Sequence, residues 1–244
     1  MTDLPSRIAL LAGSTGLVGG HVLDALLDAP DFSRVYAVTR RPLGREHVRI
    51  ANRIVQFDRL EAQLKGTVCT DAFCCLGTTI AEAGSQQEFR RVDVDYVVAF
   101  ARAAKAAQAQ RLVVLSSVGA DARSKNFYLR VKGEMEEAVS AVGFPSLDIL
   151  QPGLLLGWRR QMRPLELAAR VFMPLVNPFL VGAREPYRGI AARTVAAAML
   201  GAARSGRRGT YRYTYGPMCA LAASRPVRSA PPTDPKRDAA GGRT

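Results

Sequence analysis

Short apolar runs alternate with helical patterns along the first 150 residues. The runs that predict strands are Ile8–Gly13, Val35–Thr39, Ile54–Phe57, Thr70–Leu76, Leu112–Ser117 and Leu147–Gln151. Apolar residues at helical spacing predict helices over His21–Ala29, over the segment from Gln86 to Ala104, and over Phe127–Val142. Because strands and helices take turns, we expect a parallel sheet that is covered by helices on both faces.

The pattern becomes less regular after Pro152-Gly153, which stops the sixth run. Helical spacing returns in Glu166–Met173 and Ile190–Ala203, and Thr210–Tyr215 predicts a late strand. Residues 224–244 are rich in Pro, Ser, Gly, Ala and charge and hold almost no large apolar side chain. Such a segment cannot contribute to a core, so a disordered tail is expected there.

Length and composition restrict the possible classes. With 244 residues, 48% of them hydrophobic, the chain suffices for one domain with a substantial core. The net charge of +13 comes largely from scattered arginines without a basic-aromatic cluster, a pattern that disfavours nucleic-acid binding. No apolar run is long enough to span a bilayer, so no integral membrane contact is expected.

The cysteines and histidines suggest neither disulfides nor metal ligation. The four cysteines lack a disulfide framework and the paired spacing of a zinc site. His21 and His47 have no partner at a metal-binding spacing. No signal-peptide pattern opens the chain. We therefore expect no metal and a reducing, cytoplasmic compartment.

A glycine-rich loop follows the first predicted strand, and its setting indicates a dinucleotide. Gly13 permits a tight turn, Gly16 lets backbone approach a pyrophosphate, and Gly19 allows close packing of helix on strand. The phosphates would lie at the helix N-terminus, where free N–H groups and the helix dipole favour anions. The candidate contacts are Gly13, Ser14, Thr15, Gly16, Leu17, Val18 and Gly19. The alternative is an ordinary turn whose glycines serve packing alone.

The end of the second strand indicates which nicotinamide cofactor is preferred. NAD-specific folds place Asp or Glu about twenty residues after the glycine loop. This chain has Thr39 there, followed by Arg40 and Arg41. Two guanidiniums could bind a 2′-phosphate, and no carboxylate repels it, so NADPH is expected over NADH. Alternatively, the two arginines are ordinary loop charges.

Two further strand ends carry candidate cofactor contacts. Asp58 ends the third predicted strand, where its carboxylate could accept a hydrogen bond from the adenine amino group. Leu76, Gly77 and Thr78 end the fourth, where small residues would let a cofactor pass. Asp, Gly and Thr also suit ordinary turns, which is the alternative for both places.

Tyr128 and Lys132 are the strongest candidates for chemistry. They stand four residues apart on a predicted helix and so share one face. A phenol with a pKa of about 10 is a poor acid–base group at neutral pH, and a nearby ammonium favours its ionised form. Ser117 ends the fifth strand, where its hydroxyl could hold a substrate oxygen; Ser116 is the second choice. The alternative is a half-exposed helix pair without a catalytic role.

These motifs together resemble an atypical short-chain dehydrogenase/reductase, and more narrowly the Tat-interacting-protein-like oxidoreductases. The resemblance covers about residues 7 to 220. It is carried by the glycine loop, Phe73-Cys-Cys-Leu-Gly-Thr-Thr79, Arg91-Val-Asp-Val-Asp-Tyr96, Leu115-Ser-Ser-Val-Gly-Ala-Asp121, Tyr128-Leu-Arg-Val-Lys-Gly-Glu134 and Pro152-Gly153. It implies a Rossmann core, NADPH, a catalytic trio of Ser117, Tyr128 and Lys132, and Pro152 and Gly153 beside the nicotinamide.

The expected fold is therefore an α/β, doubly wound Rossmann-type parallel sheet in a single domain over residues 1–223. Its small, irregular C-terminal substrate region lies mainly within residues 153–215. The expected function is NADPH-dependent oxidation or reduction of a small carbonyl or alcohol. Some members of the resembled family bind protein partners in regulatory roles. The alternative is thus a cofactor-sensing interaction protein with little or no turnover; a protein partner or a homodimer is compatible with either function.

Overall fold

The computed structural model describes residues 6–156 and 182–224. The predicted helix Glu166–Met173 and the predicted tail beyond residue 224 lie outside these ranges. Within them, no helix combines the length and the hydropathy needed to cross a membrane.

Seven parallel strands form the central sheet. The strands within the described residues are β1 (Arg7–Ala12), β2 (Phe32–Thr39), β3 (Ile50–Ile54), β4 (Asp71–Cys74), β5 (Arg111–Leu115), β6 (Ser146–Leu150), β7 (Leu155–Leu156), β8 (Ile190–Ala191) and β9 (Gly209–Tyr213). The sheet order is β3-β2-β1-β4-β5-β6-β9, and the short β7 and β8 pair separately. The order reverses between β1 and β4, which is the switch point of a doubly wound fold. The predicted fold class is confirmed.

Helices cover both faces of the sheet. They are α1 (Leu17–Asp28), α2 (Leu60–Gln63), α3 (Ile80–Ala83), α4 (Gln86–Arg90), α5 (Tyr96–Ala106), α6 (Phe127–Ala141), α7 (Ala192–Arg204) and α8 (Tyr215–Ala223). Successive strand residues point to opposite faces. Leu10 thus packs with α5 and α6, whereas Leu11 packs with α1 and α7. A strand sequence that is apolar at every position matches a sheet buried on both sides.

The third strand differs from its prediction. The sequence indicates Ile54–Phe57, but β3 covers Ile50–Ile54, and Phe57 begins a short 3-10 turn that ends at Arg59. Within the described part of the chain, β3 is an edge strand whose one partner is β2. An edge strand is half exposed and therefore accommodates polar residues such as Asn52 and Arg53. These polar residues interrupt the apolar run by which a strand is recognised in the sequence.

Candidate active site at the carboxyl ends of the strands

A cavity of about 510 Å³ opens at the carboxyl edge of the sheet, next to the switch point. Its walls come from the segments that follow β1, β4, β5 and β6, together with α6. The lining residues are Gly16, Leu17, Val18, Cys75, Leu76, Gly77, Thr78, Thr79, Ile80, Leu115, Ser116, Tyr128, Lys132, Gly153, Leu154, Leu155 and Leu156. The structure thus brings the glycine loop and the Tyr128–Lys132 pair to one cavity.

The three glycines of the loop have different neighbours. Gly13 has a φ of +83°, and a Cβ there would lie 2.5 Å from the carbonyl oxygen of Cys75. A Cβ on Gly19 would lie 2.0 Å from the carbonyl oxygen of Gly13. Among the described residues, a Cβ on Gly16 would meet one neighbouring atom, the carbonyl oxygen of Gly13 at 3.3 Å, and Gly16 borders the cavity. Gly13 and Gly19 therefore permit close packing, and Gly16 keeps backbone accessible from the cavity.

The start of α1 is suited to an anion. Gly16 caps the helix without a side-chain hydrogen bond, and Leu17 and Val18 of the first turn border the cavity. The Ser14 hydroxyl is buried and has no hydrogen-bond partner within the described residues. Thr15 is exposed in the same loop. No side chain of the described residues accepts from the N–H groups at the start of α1, and the Ser14 hydroxyl has no partner there either. A pyrophosphate needs such donors, so the residues present fit that group.

Lys132 is buried in the cavity wall against a carboxylate. Its Nζ lies 2.6 Å from Oδ1 of Asp93, and both side chains are almost fully buried. The backbone N–H of Thr78 donates to the other oxygen, Asp93 Oδ2, over 2.9 Å. Burial by itself lowers the pKa of Lys132, but the Asp93 carboxylate and the nearby Tyr128 outweigh it and raise the pKa above its ordinary value. The lysine is therefore an ammonium at neutral pH.

Tyr128 borders the same cavity one helical turn before Lys132. Asn126 directly precedes α6, and its side-chain Oδ1 accepts from the N–H of Leu129 and so caps the helix. A Cβ on Gly133 would lie 2.0 Å from the backbone nitrogen of Ala122, which shows how closely α6 packs on the loop after β5. The Tyr128 ring packs against Phe89, with ring centroids 5.7 Å apart. These contacts fix the helix face that carries the pair.

The two serines after β5 have different surroundings. Ser116 borders the cavity, is buried, and donates its hydroxyl to Glu136 Oε1 over 2.6 Å. Ser117 does not belong to the lining residues, is half-buried, and its Oγ lies 3.4 Å from the carbonyl oxygen of Val118. Because the Ser116 hydroxyl donates its hydrogen to a carboxylate, the Ser117 hydroxyl is the more available of the two for a hydrogen bond to a ligand.

Glu136 connects this cavity wall to the outside of the protein. It is buried on α6 and accepts hydrogen bonds from Ser116, from Gln151 Nε2 over 2.8 Å, and from Arg212 Nε over 2.8 Å. Arg212 is half-exposed on β9. The carboxylate thus ties the ends of β5 and β6 to α6 and to β9, and its charge is balanced by a guanidinium.

The remaining predicted cofactor residues lie around this edge. Arg40 and Arg41 are exposed directly after β2, and their side chains make no ion pair with a described residue. Asp58 lies in the 3-10 turn after β3 and is held by both oxygens to Arg91 Nη2, at 2.8 and 2.9 Å. That contact is the main reason why the pKa of Asp58 is lowered. None of the three belongs to the cavity lining.

Pro152 and Gly153 lie where β6 leaves the sheet. Pro152 is buried, and its carbonyl oxygen accepts from Val118 N over 3.0 Å. Gly153 borders the cavity, and a Cβ there would lie 2.7 Å from the carbonyl oxygen of Arg188. Glycine is therefore needed at this position by the close approach of the chain that leads into β8.

Asp93 and Glu136 are site residues that analysis of the sequence missed. Asp93 lies in a five-residue π-helical turn, Arg91–Asp95, which turns it inward between α4 and α5. A turn of this kind is rare and is frequent at functional sites, but it leaves no sequence signal. Glu136 follows Lys132 by four residues, and this spacing on one helix face could have indicated it.

Three of the four cysteines, Cys69, Cys74 and Cys75, supply no reactive thiolate. Burial raises the pKa of Cys69 and of Cys74 to about 12, and that of Cys75 well above its ordinary value. These thiols stay protonated at neutral pH and act as small apolar groups. Within residues 6–156 and 182–224, no cluster of His, Cys, Asp and Glu could hold a metal ion.

Comparison with known proteins identifies the family. The profile described as NAD(P)H-binding matches residues 13–160, from the first glycine of the loop to just beyond the sixth strand. The chain belongs to this NAD(P)H-binding family. Within it, the chain is 38% identical over 173 residues to Protein HTATIP2 of Rattus norvegicus, covering 69% of this chain and 71% of that protein.

A second relative is similar in sequence, and a solved structure is similar in fold. The chain is 39% identical over 174 residues to the mitochondrial protein fmp52 of Emericella nidulans, covering 68% of this chain and 74% of that protein. The Bordetella bronchiseptica enzyme WbmG in complex with NAD has the same fold, with a TM-score of 0.64, 14% identity, and coverage of 88% and 74% of the two chains. The resemblance to atypical short-chain dehydrogenases/reductases and Tat-interacting-protein-like oxidoreductases is confirmed.

Proposed function

We propose that this NAD(P)H-binding protein is an NADPH-dependent oxidoreductase that interconverts a small carbonyl compound and its alcohol. The observation that carries the proposal is the position of Tyr128 and Lys132 in the wall of a cavity that the glycine loop also lines. A bound nicotinamide supplies or accepts a hydride. The chain itself must supply the proton and the positions of the reactants.

The dinucleotide would lie across the carboxyl ends of the strands. The backbone of Gly13–Gly19 and the start of α1 would hold the pyrophosphate. Asp58 would accept from the adenine amino group, and Arg40 and Arg41 would bind a 2′-phosphate. Leu76, Gly77 and Thr78 would pass along the cofactor, and Pro152 and Gly153 would flank the nicotinamide.

Three side chains have roles in the proton transfer. Tyr128 gives its phenolic proton to the carbonyl oxygen as hydride reaches the carbon, or accepts it in the reverse reaction. Lys132 would hold the ribose of a bound cofactor, and it places an ammonium beside the tyrosine. Ser117 orients the substrate oxygen with its hydroxyl, since the proton of Ser116 is bound to Glu136.

A substrate panel tests this proposal. Purified protein is titrated with NADPH and NADH, and NADPH oxidation is then followed with a series of aldehydes, ketones and quinones. We expect saturable oxidation with at least one class of carbonyl. Tight NADPH binding without turnover on any of them would contradict the oxidoreductase and favour a cofactor-sensing interaction protein.

Replacing Arg40 and Arg41 together with alanine should weaken NADPH binding about 10- to 100-fold and NADH binding about twofold or less, because only NADPH carries the 2′-phosphate. Fluorescence titration of both nucleotides measures the two dissociation constants. The double variant Arg34→Ala/Arg45→Ala removes the same charge from β2 and the following loop and should affect neither nucleotide strongly. Equal weakening of NADPH and NADH by the first pair would show that the phosphate is bound elsewhere.

A further inference from the structure

Asp93 is a buried carboxylate to which the proposed proton transfer assigns no role. It is 0% exposed, and each of its oxygens contacts a different part of the cavity wall. Oδ1 contacts the Lys132 ammonium, and Oδ2 accepts from the N–H of Thr78. Gly77 lies beside the ion pair, since a Cβ there would be 3.4 Å from Asp93 Oδ1 and 3.6 Å from Lys132 Nζ. The Asp93 side chain thus joins the loop after β4 to α6, the helix that carries Tyr128 and Lys132.

Lys132 depends on this carboxylate for its charge. The titratable groups that face its Nζ are Asp93 from the π-helical turn, Tyr128 from its own helix, and the Cys74 thiol from β4. The thiol is protonated, because burial raises its pKa to about 12. Within the described residues, Asp93 is therefore the carboxylate that balances the buried ammonium. An ammonium in such a place without a counter-ion tends to lose its proton.

We propose that Asp93 is a positioning residue for the reaction: its carboxylate holds the Lys132 ammonium in the cavity wall beside Tyr128 and couples it to the Gly77–Thr78 loop. This role rests on the proposed function of the site. Asp93 acts through Lys132 and need not touch the substrate or the cofactor. Without the carboxylate, Lys132 would lose both its position and, as the pH rises, its charge.

A double-mutant cycle tests this dependence. Asp93→Asn keeps the shape and an oxygen that can accept from Thr78 N–H, but removes the charge. The probes are NADPH binding and the reduction of menadione at about pH 8. We expect Asp93→Asn to lower kcat about tenfold or more and Lys132→Gln about a hundredfold or more, whereas the double variant should match Lys132→Gln within about twofold.

Two outcomes of the cycle would overturn the proposal. The first is that the two substitutions multiply, in kcat and in the NADPH dissociation constant, because Asp93 would then act independently of Lys132. The second is a kcat of Asp93→Asn within about twofold of wild type. Asp95→Asn, at an exposed position of the same turn, is the matched control and should leave both quantities unchanged.

The free protein provides a readout that does not need turnover. Lys132 has a raised pKa in wild type, so its ion pair stabilises the fold below the unfolded pKa of about 10.4, and this contribution disappears as the pH rises through the folded pKa. In Asp93→Asn the buried Lys132 has no counter-ion and binds its proton less tightly than in the unfolded chain, so the variant becomes more stable as the pH rises towards about 10.4. The difference in urea midpoint between wild type and Asp93→Asn should therefore narrow from about pH 7.5 to about pH 10.5. A difference that stays constant or widens would contradict the pairing. If the pH dependence is found but wild type reduces no carbonyl, the proposed function fails and the pairing stands.

Discussion

Replacing Tyr128 with phenylalanine should reduce carbonyl-dependent NADPH oxidation about a thousandfold while changing the NADPH dissociation constant about twofold or less. The phenol oxygen is the proposed proton donor, and phenylalanine keeps the ring that packs against Phe89. The cavity and the glycine loop are left intact by this change. Steady-state kinetics with a substrate from the panel and fluorescence titration of NADPH measure the two effects.

The control for this variant removes a phenolic hydroxyl elsewhere. Tyr211→Phe on β9 deletes a hydroxyl that donates to the carbonyl oxygen of Arg208, outside the cavity lining. It should retain wild-type kcat. If Tyr128→Phe kept a substantial part of kcat, the proton would come from another group, and the proposed mechanism would be wrong even though the cofactor still binds.

Gly19→Ala is the second substitution with a large expected effect. Its methyl group would lie 2.0 Å from the carbonyl oxygen of Gly13, so either α1 or the loop has to move. We expect a loss of about 3 kcal/mol in the free energy of unfolding and at least a hundredfold weaker NADPH binding, roughly the upper range for overpacking. Urea unfolding and NADPH titration measure both quantities.

Gly20→Ala is a matched control one residue further along α1. A Cβ there would lie 3.7 Å from the carbonyl oxygen of Ser14, which is an ordinary contact. Alanine should be neutral or stabilise the helix by up to about 1 kcal/mol, since it favours helix more than glycine does. Equal damage from both substitutions would show that the close contact between Gly19 and the loop does not explain the effect of Gly19→Ala.

Much of the proposed site could be predicted because its residues follow local rules. Gly13, Gly16 and Gly19 come directly after an apolar strand, and Tyr128 and Lys132 follow a helical spacing. Gly16 and the side chains of Tyr128 and Lys132 border one cavity, which lies where the parallel strands all end at the same edge of the sheet. Such residues can be placed from neighbours a few positions away in the chain.

Other parts of the site could not be predicted, since they depend on long-range contacts. Ser116 and Ser117 are adjacent in sequence, but their hydroxyls have different partners. The Ser116 hydroxyl donates to Glu136, whereas the Ser117 hydroxyl makes only a long contact with the carbonyl oxygen of Val118 within the described residues. Asp93 looks like a polar residue of an amphipathic helix until the π-helical turn directs it to Lys132. The first difference depends on a side-chain hydrogen bond, and the second depends on backbone geometry.

The sequence alone determined the class of fold, the position of the glycine-rich loop and the tyrosine–lysine pair, because apolar periodicity and short spacings encode them directly. Tertiary structure decided which serine donates to a carboxylate, where the edge strand lies, and that the Lys132 ammonium is paired with Asp93. These features arise from pairing and burial between segments far apart in the chain, and the energies of such contacts cannot be read from one local stretch of sequence.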